Sequence, residues 1–186
     1  SGNPARTDEA VGQVAQAGVA EVRRAVEAAR ASLPAWAVLP VEERVAVLRR
    51  AADLMRRLRW ELAAWEVLEV GKSWREADVD VVEAIEYLEY YSAGMVELSR
   101  GKPLLQVPGE RNRYLYVPRG VAAVIAPWNF PLAIPTGMTA AALAAGNPVI
   151  LKPAGPSSVI AALLIQLLRQ AGVPPGAAQY LPGPGG

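Results

Sequence analysis

Val121-Ala122-Ala123-Val124-Ile125-Ala126, Leu132 to Ala145, Pro148-Val149-Ile150-Leu151-Lys152, Ser157 to Ala171 and Ala177 to Leu181 follow one another with connections of a few residues. The first, third and fifth are strand-length apolar runs. The second and fourth are helix-length, with Gly146 and Gly172 as their stops. Such repeated β-α-β with near-continuous apolar strands predicts an α/β fold: a parallel sheet with right-handed crossovers, its elements covered on most sides.

The residues before this stretch have a different character. From Gly120 to Gly186 only Lys152 and Arg169 are charged, so all 18 acidic residues lie before it. Apolar positions Val22, Val26, Ala29 and Leu33 recur at helical spacing, and Pro34 is expected to close that helix. Pro40 opens a second helix, in which Val45, Leu48, Met55, Leu58 and Leu62 share a face and Gly71 supplies the stop. A third runs from about Arg75 to Ser99, with Val81, Ile85, Leu88, Met95 and Leu98 as its stripe and Arg100-Gly101 at its end. Between Pro103 and Pro118 the period changes to Leu104–Val107, a Pro108-Gly109-Glu110 turn, and Tyr114–Val117, which predicts a β-hairpin. The Pro/Gly tail Leu181–Gly186 reads as a loop leading onward.

Composition excludes several functions. The 186 residues carry 19 basic against 18 acidic groups, a net charge of +1, and so lack the positive excess that nucleic acid or an anionic membrane requires. There is no cysteine and no histidine. Disulfides, thiolate metal sites, a cysteine nucleophile and a Ser-His-Asp triad are thus all unavailable within the chain, and no metal site is expected. The N-terminus Ser1-Gly2-Asn3-Pro4 is polar, and the longest apolar runs fall short of the ~20 residues that span a bilayer. A soluble, cytoplasmic protein is expected.

Ligands of parallel sheets sit beyond the C-terminal ends of the strands. Pro127-Trp128-Asn129-Phe130-Pro131 lies there after the first strand, and Lys152-Pro153-Ala154-Gly155 after the second. Asn129, an uncharged donor between two prolines, suits the stabilisation of a developing oxyanion; the competing reading is a turn asparagine that satisfies its own loop. The ammonium of Lys152 could hold ribose hydroxyls or phosphate, helped by the N-terminus of the helix from Ser157, or it could snorkel at a sheet edge. Arg169 is explained by its place near a helix C-terminus. Gly183 and Gly185 form a bare Gly-x-Gly, without the third glycine of a dinucleotide fingerprint. The acidic runs Glu61–Glu69 and Glu76–Glu89 read as solvated helix faces, with Glu83 expected to be less exposed than its neighbours.

Ala126-Pro127-Trp128-Asn129-Phe130-Pro131, followed by Ala145-Gly146-Asn147-Pro148-Val149-Ile150-Leu151-Lys152-Pro153, resembles the aldehyde dehydrogenase superfamily. Asn3-Pro4-Ala5, Ala20 to Trp36, Glu69-Val70-Gly71-Lys72 and Ala171-Gly172-Val173-Pro174-Pro175-Gly176 fit in the same order. Within that superfamily, Glu69 to Trp74, Glu83-Ala84-Ile85 and Glu89-Tyr90-Tyr91 are similar to the L-glutamate γ-semialdehyde (1-pyrroline-5-carboxylate) dehydrogenases of proline catabolism and to the matching domain of the bifunctional proline-utilisation protein. The resemblance implies an aldehyde dehydrogenase-like fold with helices on both faces of a Rossmann-like sheet. Residues 1–102 would form the helical part of an NAD-binding domain, 103–118 a protruding oligomerisation hairpin that builds a homo-oligomer, and 119–186 the β-α-β part.

It also implies roles. Asn129 matches the oxyanion-hole asparagine. Backbone at Ile125, Ala126, Pro127 and Trp128, the Lys152 side chain, Gly155, Gly183 and Gly185 match positions around the cofactor. Phe130 and Glu83 match residues that meet the chain and the amino group of a small-molecule aldehyde substrate. Many members carry an acidic residue where this chain has Gly155; a carboxylate there would repel a 2′-phosphate, so NADP joins NAD as an expected cofactor. The family's catalytic Cys and its Glu base lie well beyond Gly186, so an N-terminal portion, inactive alone, is expected. A dehydrogenase for another aldehyde and a non-catalytic dinucleotide-binding or assembly module remain the alternatives.

Overall fold

The structure is a computed structural model and describes residues 1–184. A short antiparallel pair, β1 (Gly2–Asn3) and β2 (Arg6–Ala10), is closed by the Asn3 side chain, which accepts from the Ala5 amide at 2.9 Å and donates to Glu9 at 2.7 Å. Four helices follow: α1 (Val19–Val38), α2 (Val41–Arg57), α3 (Arg59–Val70) and α4 (Trp74–Ser99). Then come β3 (Ala122–Ile125), α5 (Ala133–Ala144), β4 (Val149–Lys152), α6 (Ser158–Ala171) and β5 (Ala178–Tyr180).

Two helix boundaries differ from the sequence reading. Pro34 lies inside α1 rather than ending it. A mid-helix proline costs ~3 kcal/mol, which burial of a tryptophan, worth ~3–5 kcal/mol, offsets. Trp36 is 2% exposed, and its indole Nε1 donates to the Leu143 carbonyl at 3.1 Å. The second helix is two, because the chain turns at Leu58 (φ −99°, ψ 12°) before α3. The turn re-aims the stripe, so Met55 of α2 and Leu62 and Ala63 of α3 are all buried.

The segment 103–118 reverses direction, with the Glu110 amide donating to the Val107 carbonyl at 2.9 Å, but it forms no strand ladder. Its arms are tied by side chains instead: Gln106 accepts from the Asn112 amide at 3.0 Å, and Asn112 Nδ2 donates to the Leu105 carbonyl at 3.0 Å. A lone two-stranded hairpin is marginal without a third strand or a covering element. Here Leu105, Leu115 and Val117 are exposed.

The three strands β3, β4 and β5 lie in that order, all parallel, as the β-α-β reading predicts. Two successive right-handed crossovers in one direction place α5 and α6 on the same face. Side chains of β4 alternate accordingly: Val149 and Leu151 join the core beneath α5 and α6, whereas Ile150 packs with Ala25 and Ala29 of α1 on the other face. The helices α2, α3 and α4 form a further layer outside α5 and α6, sharing one continuous core with them. β3 is not a buried strand. It is an edge, and of its side chains only Val124 is buried, while Ala123 and Ile125 are exposed.

Gly146 follows α5 at φ +85°, and a Cβ there would lie 2.8 Å from Pro118. Gly146→Ala should therefore lower stability by more than about 1 kcal/mol. Gly94→Ala, inside α4 with open space around its Cβ, should raise it by about 0.5–1 kcal/mol. Urea-denaturation midpoints of the two variants check both signs.

Candidate active site

The strand register decides what meets at the sheet end. Ile125 pairs with Lys152, and the Ala126 amide donates to the Lys152 carbonyl at 3.2 Å. The segments after β3 and β4 thus leave the sheet side by side. By the two-residue alternation, Ile125 and Lys152 point to the same face as Ile150. Helix α1 covers Ile150 but stops short of the strand ends, leaving Ile125 71% exposed. Trp128, further along the same segment, is 54% exposed. The Lys152 ammonium donates to the Pro153 carbonyl at 3.1 Å and makes no other hydrogen bond among the described residues. An apolar floor beside an ammonium with donors to spare suits a flat heterocycle joined to a hydroxylated or anionic group.

Asn129 is exposed between half-buried Pro127 and buried Pro131. Among the described residues its side chain makes no hydrogen bond, so the loop does not hold a self-satisfied turn asparagine. Phe130 beside it is 39% exposed.

Neither crossover helix caps itself: the N-caps of α5 and α6 make no side-chain hydrogen bond. Carboxylates from the outer layer do so. Asp80 of α4 accepts from the Leu132 and Ala133 amides at 3.1 and 3.3 Å, at the start of α5. Glu69 of α3 accepts from Val159 and Ile160, both at 2.8 Å, at the start of α6. The α6 N-terminus, expected to lend its potential to a phosphate beside Lys152, is therefore already neutralised by Glu69. At the opposite ends, Arg44 Nε donates to the Ala144 carbonyl at 3.0 Å and Arg50 Nε to the Ala171 carbonyl at 2.8 Å.

Asp80 also belongs to a buried charge cluster. Lys72 Nζ lies 3.5 Å from Asp80 and 3.6 Å from Glu66, and 4.7 Å from the centre of the Phe130 ring. Glu66 and Asp80 are fully buried. Two carboxylates cannot share one ammonium in so apolar a setting, and burial, with Asp80 nearby, pushes the Glu66 carboxyl up to about 10. Glu66 is thus a neutral acid, leaving Lys72 and Asp80 as the ion pair.

Glu83 is half-buried on α4, one turn from Asp80 and one from Tyr87. Both neighbours meet α5, Tyr87 at Gly137. The Tyr87 hydroxyl donates to Glu83 Oε1 at 2.9 Å, a bond to the carboxylate that raises the Tyr87 phenol above its ordinary range. Glu83 thus lies on α4 between the two positions that meet α5. Gly155 is exposed at the start of a 3-10 turn, Gly155–Ser157, with nothing near its Cβ position. Gly183 follows β5 against Ala17, two strands away from β3, and Gly185 lies outside the described residues.

Glu66, Glu69 and Asp80 were not legible as site-forming residues, since the two acidic runs read as solvated faces, and Lys72, between the runs, carried no signal of its own. One signal was available. Leu62, Glu66 and Glu69 stand at i, i+4 and i+7, on one helix stripe, which puts both carboxyls on a buried face. Among the described residues no helix is long and apolar enough to cross a membrane, and no group of three His, Cys, Asp or Glu is placed to hold a metal.

A parallel sheet whose C-terminal strand ends are open, with Asn129 and Lys152 in the segments that leave them, is the arrangement in which α/β folds bind ligands. The chain belongs to the aldehyde dehydrogenase family, whose model matches residues 1–186. It is 46% identical over 185 residues to 1-pyrroline-5-carboxylate dehydrogenase 1 of Halalkalibacterium halodurans, covering 100% of this chain and 36% of that protein. Among solved structures, a mutant of Thermus thermophilus 1-pyrroline-5-carboxylate dehydrogenase superposes with a TM-score of 0.96 at 46% identity, over 100% of this chain and 36% of that one. Proline utilization A from Bdellovibrio bacteriovorus superposes equally well, with a TM-score of 0.96 at 45% identity, over 98% of this chain and 19% of that one. The chain thus spans about a third of the curated relatives it matches, 36% of their length.

Glu66 makes a pH prediction. Its folded-state value lies above its unfolded one, so its contribution is fully present below pH ~4.5 and is lost as pH rises toward about 10, at up to about 1.4 kcal/mol per pH unit. Glu66→Gln, neutral at every pH, should flatten the stability profile between pH 5 and 9 and be the more stable form at pH 9. Denaturant titrations across that range test it.

Proposed function

We propose that this chain is the cofactor-side portion of an NAD-dependent dehydrogenase that oxidises L-glutamate γ-semialdehyde to L-glutamate. The observation that supports the reading is the level end of β3 and β4, from which the segments carrying Asn129 and Lys152 leave the sheet side by side. The relatives named above, and a Thermus 1-pyrroline-5-carboxylate dehydrogenase structure with bound NAD that is 45% identical over 100% of this chain, support both the substrate and the cofactor.

The residues fit that cofactor. Ile125 to Trp128 offer an apolar strip for the dinucleotide, and Lys152 offers donors for the adenosine ribose. Gly183 follows where the chain leaves β5 and would complete the cofactor side. Because the Glu69 and Asp80 carboxylates occupy both helix starts, a pyrophosphate placed there would meet negative charge, so the dinucleotide takes the strand-end surface at Ile125 and Lys152 instead. Gly155 presents no carboxylate to a 2′-phosphate, and NADP is expected to serve as well. When bound, the nicotinamide accepts the hydride that leaves the aldehyde carbon.

In the overall reaction, aldehyde, water and NAD+ give carboxylate, NADH and protons. The nucleophilic thiolate and the base that activates water are assigned to the part of the protein beyond Gly186. As the nucleophile adds to the carbonyl carbon, negative charge builds on the oxygen, and Asn129 Nδ2 donates to it. An amide fixed between two prolines needs no reorganisation to do so. Phe130 lies along the substrate chain. Glu83, with Oε1 engaged by Tyr87, keeps Oε2 for the substrate ammonium. Residues 1–102 and 119–186 act as one NAD-binding domain, consistent with their continuous core. The exposed apolar arms of 103–118 are the surface through which copies associate as a homo-oligomer.

The 186-residue chain alone should produce no NAD(P)H from the semialdehyde, and measurable turnover by it would overturn the assignment. In the complete enzyme, Asn129→Ala should cost about 10²–10³ in kcat. Glu83→Gln should raise KM for the semialdehyde while leaving kinetics on a simple aliphatic aldehyde unchanged. Equal losses on both would contradict the amino-group contact.

A further inference from the structure

An exposed phenylalanine on a loop has little reason to hold one orientation, yet Phe130 is tied from behind. Lys72 Nζ lies 4.7 Å from the ring centre. Lys72 follows Gly71, which ends α3 in a left-handed turn (φ +73°), and its ammonium returns to Glu66 of that helix. The side chain does not snorkel: it is 13% exposed, and its ammonium is buried without a directed hydrogen bond. It is held by the charge of the Asp80 carboxylate at 3.5 Å, with the neutral Glu66 acid 3.6 Å away on its other side. An ammonium so placed has few alternatives to an aromatic face, where the attraction grows as water is removed. The same Asp80 accepts from the Leu132 amide at 3.1 Å, two residues after Phe130. The ring and the backbone beyond Pro131 are thus fastened to one ion pair.

We propose that Lys72 is a positioning residue of the aldehyde site: anchored between Glu66 and Asp80, its ammonium grips the inner face of the Phe130 ring and so sets the orientation of that ring and of the adjoining Asn129 amide. The importance of that orientation rests on the dehydrogenase reading, but the grip itself does not, so the two fail separately. Arginine would preserve it, because a guanidinium stacks on an aromatic face and stays charged. Methionine would preserve the length of the side chain and abolish the attraction.

Phe130 is the only phenylalanine in the chain, so 4-fluorophenylalanine incorporation gives a single 19F signal at the site. The chain should show one sharp resonance. Lys72→Met should displace it by more than its linewidth and broaden or split it, and Lys72→Arg should restore a single sharp line. Lys102→Met, which removes a surface ammonium 5.7 Å from the Tyr114 ring, should leave the resonance unmoved. An unmoved signal in Lys72→Met, or no recovery in Lys72→Arg, overturns the proposal. Should Lys72→Met fail to fold, the unsubstituted chain decides: the Lys72 ε-methylene protons should be shifted upfield by the ring and show nuclear Overhauser contacts to it, and their absence overturns the proposal as well.

Discussion

Each crossover helix of the sheet is clamped at both ends by side chains of the complementary charge, all from the outer helical layer. Helix α5 begins on Asp80 and ends on Arg44; helix α6 begins on Glu69 and ends on Arg50. The need arises because these helices are buried between the sheet and α2–α4. The amides and carbonyls that the clamps meet are buried or partly buried, and the N-cap residues Leu132 and Ser157 make no side-chain hydrogen bond to them. A charge at the favourable end of a helix contributes about 0.3–1 kcal/mol, rising to ~2 kcal/mol in partly buried geometries. Leaving a buried donor unpaired costs about 1–3 kcal/mol. The clamps therefore matter more for what they prevent than for what they add.

This constraint explains the division of charge along the chain. The sheet portion is almost without charge because it is interior, and the first portion holds the acids and bases that close its helices. It also ties the site to elements distant in sequence. The Asn129 loop ends where Asp80 takes the first amides of α5, and the turn after Lys152 ends where Glu69 takes those of α6. A shift in α3 or α4 is therefore a shift in the strand-end loops. Using both helix starts for internal carboxylates leaves the strand-end surface at Ile125 and Lys152 as the place proposed for a dinucleotide.

Much of this was legible in the sequence. Alternating apolar runs with glycine stops locate α5, β4, α6 and β5 to within a residue or so, because buried parallel elements carry little besides that pattern. Asn129 and Lys152 stand out as polar residues at strand ends. What could not be read is long-range. Pro34 looks like a stop until Trp36 is seen to find the Leu143 carbonyl over a hundred positions away. The exposure of Ile125 depends on where α1 stops over the sheet. The arms of 103–118 have strand composition but no neighbour to complete a ladder. Glu66, Glu69 and Asp80 look like ordinary members of solvated acidic runs, since only the tertiary fold shows which carboxyl of a charged helix turns inward.

Amide hydrogen exchange on the chain with Asp80→Ala or Glu69→Ala tests the clamp account most directly. Each carboxylate removed strips charge-assisted bonds worth about 1.5–3 kcal/mol. The account predicts that Asp80→Ala loses protection by about tenfold or more at Leu132, Ala133 and the first turn of α5, with the start of α6 unchanged. Glu69→Ala should do the reverse, at Val159 and Ile160. Protection that stays at wild-type levels at these amides, or falls equally at both helix starts in both variants, would contradict it.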